Sequence, residues 1–544
     1  MMALMCIEIE VWKNRRDSGK ETVYMREFNV TGTCVPNRHY MVDITEKLKQ
    51  IETLVEKGNY FTINRARQYG KTTTFSRLSA YLKEKYCIIR LSFEGVGEKA
   101  FETEDNFVFM FERKVERELR FQNVDDMTIQ KWRRLCCVDE KDEAAFEVLG
   151  NAVTELCIDI KKPILLLIDE VDKSSDNQIF LSFLGMLRNK YLDAMDERDT
   201  TFNSVILAGV YDIKNLKLKL RQDAEKNYNS PWNIAADFKV DMSFSPDEIV
   251  TMLESYEEDY HTGMDMTAVS ERIHFYTNGY PFLVSWLCKW MDEEGDREFT
   301  VRNVDMAVRE LLKNDNTLFD DLIKNVENNC ELADMLKSML LDGKEYGYAK
   351  SVPVINLGVR FGIFAGNNGK TTVSNLIFET YLYNHFIGKR ELERGGFGTD
   401  GNRFVKGGKL DMKLIMAKFQ ELMKAEYRQE DGKFYERQGR LLFLCFLRPI
   451  INGAGHYYIE PETRNNRRMD IVVAYGGEEF IIELKIWRGK QYREEGLKQL
   501  SEYLDSRGAA YGYLVSFNFN QNKDYSLCEI ALGDDGKRAY EVTV

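Results

Sequence analysis

The tetrapeptide Gly-Lys-Thr-Thr occurs twice in this chain, at Gly70 to Thr73 and at Gly369 to Thr372, and its neighbours impose different local structures on the two copies. Ahead of the first lies Tyr60-Phe61-Thr62-Ile63, an apolar, β-favouring run, and after it Phe75, Leu78 and Leu82 recur at helical spacing. A strand, a tight loop and a helix in that order bring loop N–H groups and the positive end of the helix to one point, where phosphate is stabilised. There Lys71 supplies a point charge and the Thr72 hydroxyl reaches Mg²⁺. Arg67, Gln68, Tyr69, Gly70, Lys71, Thr72 and Thr73 are therefore expected to hold nucleotide phosphates. The loop departs from G-x-x-x-x-G-K-[ST] at its first position, where Arg65 stands in place of glycine.

The second copy lies in Phe364-Ala365-Gly366-Asn367-Asn368-Gly369-Lys370-Thr371-Thr372-Val373, and Asn-Gly between two β-prone runs is a strong hairpin signal. Ser374-Asn375 then offers an N-cap to an apolar helical stretch. This copy is expected to be a β-hairpin.

At 544 residues the chain is too long for one core, and about 150 residues per domain suggests three or four. The longest apolar runs, such as Ile164 to Ile168, are far short of the roughly 20 residues that span a bilayer, so no membrane role is expected. Ten cysteines without a C-x-x-C pair, and a start without a basic region and long apolar core, suit a reducing cytosol. A net charge of −13 argues against a surface basic throughout, so contact with nucleic acid must be local.

Lys162-Pro163 leads into Ile164 to Ile168 and then Asp169-Glu170, a continuous apolar run ending in two acids, as expected of a strand buried on both faces of a parallel sheet. Asp169 is placed to hold Mg²⁺ through water, and Glu170 to orient and deprotonate the attacking water. A further strand, Ser204 to Val210, follows a helical segment from Phe180 to Leu192 and completes a β-α-β alternation. Tyr211 and Asp212 after it are candidate γ-phosphate sensors, although polar residues at strand ends are commonplace, and Arg188 and Arg221 are candidate charge stabilisers, although a solvated surface arginine is the plainer account of each.

The run His39-Tyr40-Met41-Val42-Asp43, the loop Asn64 to Thr72, Leu167-Ile168-Asp169-Glu170, Ser230-Pro231-Trp232-Asn233-Ile234 and Thr277-Asn278-Gly279-Tyr280-Pro281-Phe282 together resemble the AAA-ATPase-like family of bacterial P-loop proteins, over about residues 30 to 395. In that family an arginine-rich loop start is usual. Related signalling ATPases carry a Gly-x-Pro segment in a helical lid, followed by a winged helix. The resemblance therefore implies a core over 31–240, a lid over 241–335 and a winged-helix-like segment over 336–395, its wing being the second Gly-Lys-Thr-Thr hairpin; residues 1–30 stay unassigned.

Beyond a glycine-rich linker at Gly395 to Gly398, two strand-like runs, Met469 to Tyr475 and Glu479 to Ile486, flank Gly476-Gly477-Glu478. With a two-residue turn, Tyr475 pairs with Glu478 and Asp470 stands opposite Glu483; a four-residue turn makes that pair diagonal. Two facing carboxylates repel unless a cation lies between them, and a divalent metal fits. Lys485, two residues beyond Glu483, shares its face, whereas Ile482, Leu484 and Ile486 line the other. A solvated edge strand is the plainer account of such charges.

This pattern, with Glu436 on a preceding helix and Gln499 and Tyr503 on a following one, resembles the PD-(D/E)XK nuclease superfamily over about residues 400 to 544, with Met469 in place of the proline. The resemblance implies Glu436, Asp470 and Glu483 as metal ligands, Lys485 as catalytic lysine and Gln499 as support. Arg464, Arg467, Arg468, Arg488, Lys490 and Arg493 bracket the site and suit a phosphate-backbone track, although solvated surface charge is the plainer account of any one of them.

The expected architecture is thus α/β: a P-loop NTPase parallel sheet with helical lid and winged-helix-like segment, then an α/β restriction-endonuclease-like domain over 396–544. The expected activity is ATP hydrolysis, with Mg²⁺ as cofactor, coupled to cleavage of nucleic acid, DNA ahead of RNA, using Mg²⁺ or Mn²⁺. A homo-oligomer is compatible with this. The competing expectation is a signalling or remodelling ATPase whose nuclease-like domain is silent and binds nucleic acid or protein.

Overall fold

The computed structural model describes residues 25–137, 144–174, 177–210, 232–340, 344–393, 404–406, 409–426, 436–451, 455–458, 471–487, 489–520, 523–533 and 536–544. Helix α1 (Thr45–Glu56) leads into β1 (Phe61–Asn64), the loop and α2 (Lys71–Leu82). Then come β2 (Cys87–Ser92), α3 (Glu104–Phe121), α4 (Asp126–Leu135), α5 (Ala145–Asp159), β3 (Ile164–Asp169), α6 (Gln178–Met195) and β4 (Ser204–Gly209). The four strands pair in parallel in the order β1-β4-β3-β2. A parallel bridge from Phe61 to Ala236 extends the sheet beyond β1.

Every residue of β3 and β4 is buried, as the unbroken apolar runs require. Alternation along β3 divides its side chains between two cores. Leu165 and Leu167 join Phe75, Leu78 and Leu82 of α2 on one face. Leu166 and Ile168 join Phe107 and Phe111 of α3 and Phe180 and Phe183 of α6 on the other. Each such side chain stabilises by about 2 kcal/mol when fully buried.

A helical unit follows: α7 (Pro246–Tyr260), α8 (Met266–Thr277), α9 (Pro281–Glu293), α10 (Val301–Lys313) and α11 (Thr317–Glu327). Helix α7 starts on a complete capping box, Ser245 with Glu248, and Pro246 in its first turn. Helix α8 stops because Asn278 and Gly279 both take positive φ. Gly279 has no alternative, since a Cβ there would lie 2.0 Å from the Phe244 carbonyl oxygen.

Next are α12 (Cys330–Leu340), α13 (Pro353–Arg360), the hairpin β5 (Phe364–Asn367) and β6 (Lys370–Val373), and α14 (Leu376–Glu393). The second Gly-Lys-Thr-Thr is that hairpin. Asn368 and Gly369 both have positive φ, the requirement of a two-residue primed turn. Lys370 pairs at the surface with Glu345 at 2.7 Å, and Asn375 caps α14 by accepting the Phe378 N–H at 2.8 Å.

The C-terminal part comprises β7 (Val405–Lys406), β8 (Lys409–Leu410), α15 (Met412–Glu426), α16 (Glu436–Ile451), β9 (Gly455–Tyr458), β10 (Ile471–Tyr475), β11 (Glu478–Ile486), α17 (Lys490–Arg507), β12 (Tyr511–Phe517), β13 (Leu527–Leu532) and β14 (Lys537–Thr543). Its mixed six-stranded sheet runs β13-β14-β12-β11-β10-β9. The β10–β11 turn is the two-residue Gly476-Gly477, with Tyr475 opposite Glu478 and pairing from there to Ile471 opposite Ile482. Helix α17 packs on one face against Val472, Ile481 and Leu514. Phe419 of α15 and Phe443 and Leu447 of α16 share a core with Ile482, Leu484 and Val515 on the other. Arg507 of α17 pairs with Asp305 of α10 at 2.9 Å, and Arg309 of α10 with Glu479 of β11, so this part is docked on the helical unit. Among the described residues no helix is long and apolar enough to cross a membrane.

Candidate functional site

The loop between β1 and α2 turns without a glycine at its start because its left-handed residues are Gln68 and Gly70, not Arg65. Arg65 hydrogen-bonds from its N–H to the Gly209 carbonyl at the end of β4 at 3.1 Å. Its guanidinium donates to the Val240 carbonyl at 2.7 Å and lies over the Phe238 ring. Lys71 is buried and donates to the carbonyls of Arg65 at 3.0 Å and Ala66 at 2.9 Å. Burial pushes its pKa down, opposed by Asp172, Glu170 and Asp169 in that order.

The other loop side chains face the helical unit. Arg67 pairs with Asp321 at 3.0 Å, the Gln68 amide donates to Thr317 at 2.8 Å, and Tyr69 meets Tyr280 edge-on at 4.7 Å. The Thr72 carbonyl accepts from Arg90 at 3.1 Å, and the Thr73 hydroxyl accepts the Cys34 N–H at 3.1 Å. The loop's side chains thus fix its shape, and Lys71 brings its charge into the loop's interior.

At the end of β3, buried Asp169 accepts the Glu170 N–H at 3.0 Å, and Glu170 itself takes positive φ. Desolvation holds the Glu170 carboxyl above the usual glutamate range, countered by Lys71. Asp172, which the sequence reading passed over, accepts the Val210 N–H through both oxygens, at 2.8 and 2.7 Å, and clamps the end of β4 to that of β3. Its only sequence signal was position, three residues after Asp169. Tyr211, Asp212 and Arg221 lie outside the described residues. Arg188 donates to Asn233 at 3.0 Å, a contact between α6 and the segment after β4.

A cavity of about 390 Å³ opens beside Gly70 and Thr73. Tyr40, Val42, Met242, Phe244 and Phe282 give it apolar walls, suited to a planar heterocycle next to a phosphate loop. Tyr40 and Val42 lie in the His39 to Asp43 run that carries the family resemblance; Met242 and Phe244 carry no sequence signal that separates a pocket wall from a core.

In the C-terminal sheet, Glu483 is 2 % exposed, and its Oε1 lies 2.9 Å from the Lys485 Nζ. Strand β11 lies between β12 and β10, so the solvated-edge account fails. Helix α17 crosses above the pair, and a Cβ on its Gly496 would come within 3.2 Å of the Lys485 side chain. Gln499 lies one turn further on; its Oε1 is buried without a hydrogen-bond partner among the described residues. Arg493 is no part of a phosphate track: it grips buried Glu541 with two nitrogens, at 2.9 and 2.6 Å, and its charge is already matched. Asp470, Arg464, Arg467, Arg468, Arg488 and the glycine linker lie outside the described residues, as does the side chain of Glu436, which begins α16. Among the described residues no group of three or more His, Cys, Asp or Glu is placed to hold a metal.

Comparison with curated proteins gives no match. Among solved structures, the Walker-type ATPase PABY2304 of Pyrococcus abyssi is 14% identical, covering 65% of this chain and 99% of its own, with a TM-score of 0.46. The Aeropyrum pernix ORC2 protein in its ADPNP-ADP complexes is 14% identical over 64% of this chain and 93% of its own, TM-score 0.32. The Aeropyrum pernix ORC1 protein in complex with DNA is 13% identical over 64% and 94%, TM-score 0.27. The assignment rests on none of these. A family described as the AAA-like domain matches residues 35–383, which hold the phosphate loop, the acidic strand end, the helical unit and the hairpin. That span is well over half of the chain, and the chain belongs to the AAA-like domain family.

Proposed function

We propose that this chain is a cytoplasmic ATP hydrolase that carries a metal-dependent, DNA-cleaving nuclease in its C-terminal domain. In this reading the segment 336–395 is a winged-helix-like module and residues 396–544 are a restriction-endonuclease-like domain. The ATPase part is supported by the convergence of Lys71, Asp169, Glu170 and Asp172 at one end of a parallel sheet, beside a cavity that fits a base. ATP draws the Lys71 ammonium from the Arg65 and Ala66 carbonyls onto its phosphates, and Glu170 takes the proton of the attacking water. Thr72 and Asp169 would hold Mg²⁺, which would supply neutralisation of phosphate charge.

The nuclease part is carried by the buried Glu483–Lys485 pair beneath Gln499. A buried carboxylate costs several kcal/mol unless it is compensated, so one on an interior strand points to a specific task. The orphaned Gln499 oxygen is a further acceptor suited to a metal-bound water or the attacking water. Glu483, with Asp470 and Glu436, would hold Mg²⁺ or Mn²⁺, which supplies charge neutralisation and an acidified water. Lys485 stabilises the negative charge that grows on the phosphate.

Incubation with single- and double-stranded DNA and RNA plus Mg²⁺ or Mn²⁺ tests this. Cleavage should fall at least about a hundredfold in Lys485→Ala and Glu483→Ala. Undiminished cleavage in both variants rejects the site; no cleavage of any substrate by the unaltered chain favours a silent binding domain.

A further inference from the structure

Arg65 replaces a glycine, and the phosphate loop does not use its charge. Its guanidinium turns toward a second cavity, of about 820 Å³, where the loop, the strand extension around Phe238, the α8–α9 turn and the β5–β6 hairpin unit meet. Arg65, Lys239, Lys350 and Arg360 line it, against two carboxylates, Asp237 and Asp241. Asp241 is engaged with the N–H and hydroxyl of Ser243. Lys239 and Lys350 have no hydrogen-bond or ion-pair partner among the described residues. Phe238, Tyr69 and Tyr348 add aromatic surface to the same walls.

Cations interleaved with rings in a groove are what a single-stranded nucleic acid needs: the cations match phosphates and the rings stack bases of any sequence. At about 820 Å³ the cleft is roughly twice the size of the base cavity, which is room for more than one nucleotide. Among the described residues, Tyr69 is the one lining both cavities.

We propose that this cleft is a second site, binding a short single-stranded oligonucleotide through its phosphates and bases, with Lys239 and Lys350 as the phosphate contacts and Tyr69 as the wall shared with the ATP cavity. The site stands independently of the nuclease reading. Because the β5–β6 unit forms one side of the cleft and the phosphate loop the other, an occupant holds the two together.

The test is fluorescence anisotropy of a labelled thymidine dinucleotide titrated with the full chain in EDTA, which prevents cleavage. Binding should persist under saturating ADP and in Lys71→Ala. It should weaken roughly tenfold or more in Lys239→Glu/Lys350→Glu, and severalfold in Lys350→Gln, while both variants bind ATP as the unaltered chain does. Equal affinity in the double variant overturns the proposal, as does loss of the probe under ADP or in Lys71→Ala, which would place it in the ATP cavity. Displacement by a tetraglutamate peptide at matching concentration overturns it in favour of an acidic peptide ligand.

Discussion

Tyr280, in the turn between α8 and α9, donates its buried phenol to the Arg67 carbonyl at 2.5 Å, so the helical unit holds the phosphate loop by its backbone. The same ring meets Tyr69 at 4.7 Å on one side and Phe378 of α14 at 5.3 Å on another. Removing the hydroxyl in Tyr280→Phe loses one hydrogen bond, worth about 1 kcal/mol. The expected outcome is ATP binding weakened about fivefold with the fold intact, read by calorimetric titration. Unchanged affinity would mean that the loop keeps its shape without this bond.

Gly279 sets that turn. With φ at +70° and the Phe244 carbonyl 2.0 Å from where a Cβ would be, Gly279→Ala meets both strain and a backbone clash. Destabilisation of about 3 kcal/mol or more is expected, seen as a lowered thermal midpoint. Ala at Gly369 has only the strain to bear, since nothing lies within 4 Å, and should cost less.

The two Gly-Lys-Thr-Thr copies are separable by one pair of variants. Lys71→Ala removes the buried ammonium beside three carboxylates and should abolish measurable ATP hydrolysis. Lys370→Ala removes an exposed partner of Glu345, an interaction worth well under about 1 kcal/mol, and should leave hydrolysis unchanged.

The pH profile of kcat/KM for ATP reports the free protein. Desolvation favours the neutral Glu170 carboxyl and raises its pKa, and in the proposed role as base it works only as carboxylate. Activity should therefore fall with decreasing pH through a value above the usual glutamate range. Burial lowers the Lys71 pKa, so the alkaline limb should begin below the pH at which surface lysines lose their charge. An acid limb at the ordinary glutamate position would show that the base lies elsewhere.

Arg493→Ala leaves Glu541 a buried carboxylate without its cation. A loss of about 3 kcal/mol in the C-terminal unit is expected from urea unfolding, whereas Lys490→Ala on the exposed first turn of α17 should be near neutral. Equal, small effects would show that the Arg493–Glu541 pair does not hold this unit together.

What lay open in the sequence was local. The loop and α2, the acid-tipped β3, the hairpin at Asn368-Gly369 and the existence of a turn at Gly476-Gly477 each follow from spacing within about a dozen residues, where strand and helix periods differ, whereas the length of that turn was set only in the folded sheet. The cavity beside Gly70 did not show itself, because Tyr40, Met242 and Phe282 approach one another only in the folded chain, and an apolar side chain reads alike whether it fills a core or lines a pocket. Arg493 failed for the related reason that a charge has no visible partner in sequence; Glu541 arrives from a strand 48 residues later.

The sequence by itself determined local elements, among them the strand, loop and helix around Gly70, the acid-tipped β3, β4 and the hairpin at Asn368-Gly369, since backbone geometry and hydrophobic period act over short range. Only the tertiary structure decided where Arg65 and Arg493 point, that Glu483 and Lys485 sit on an interior strand, and that Tyr280 braces the loop. Burial and charge pairing depend on which distant segments pack together, and that is settled by the shared core.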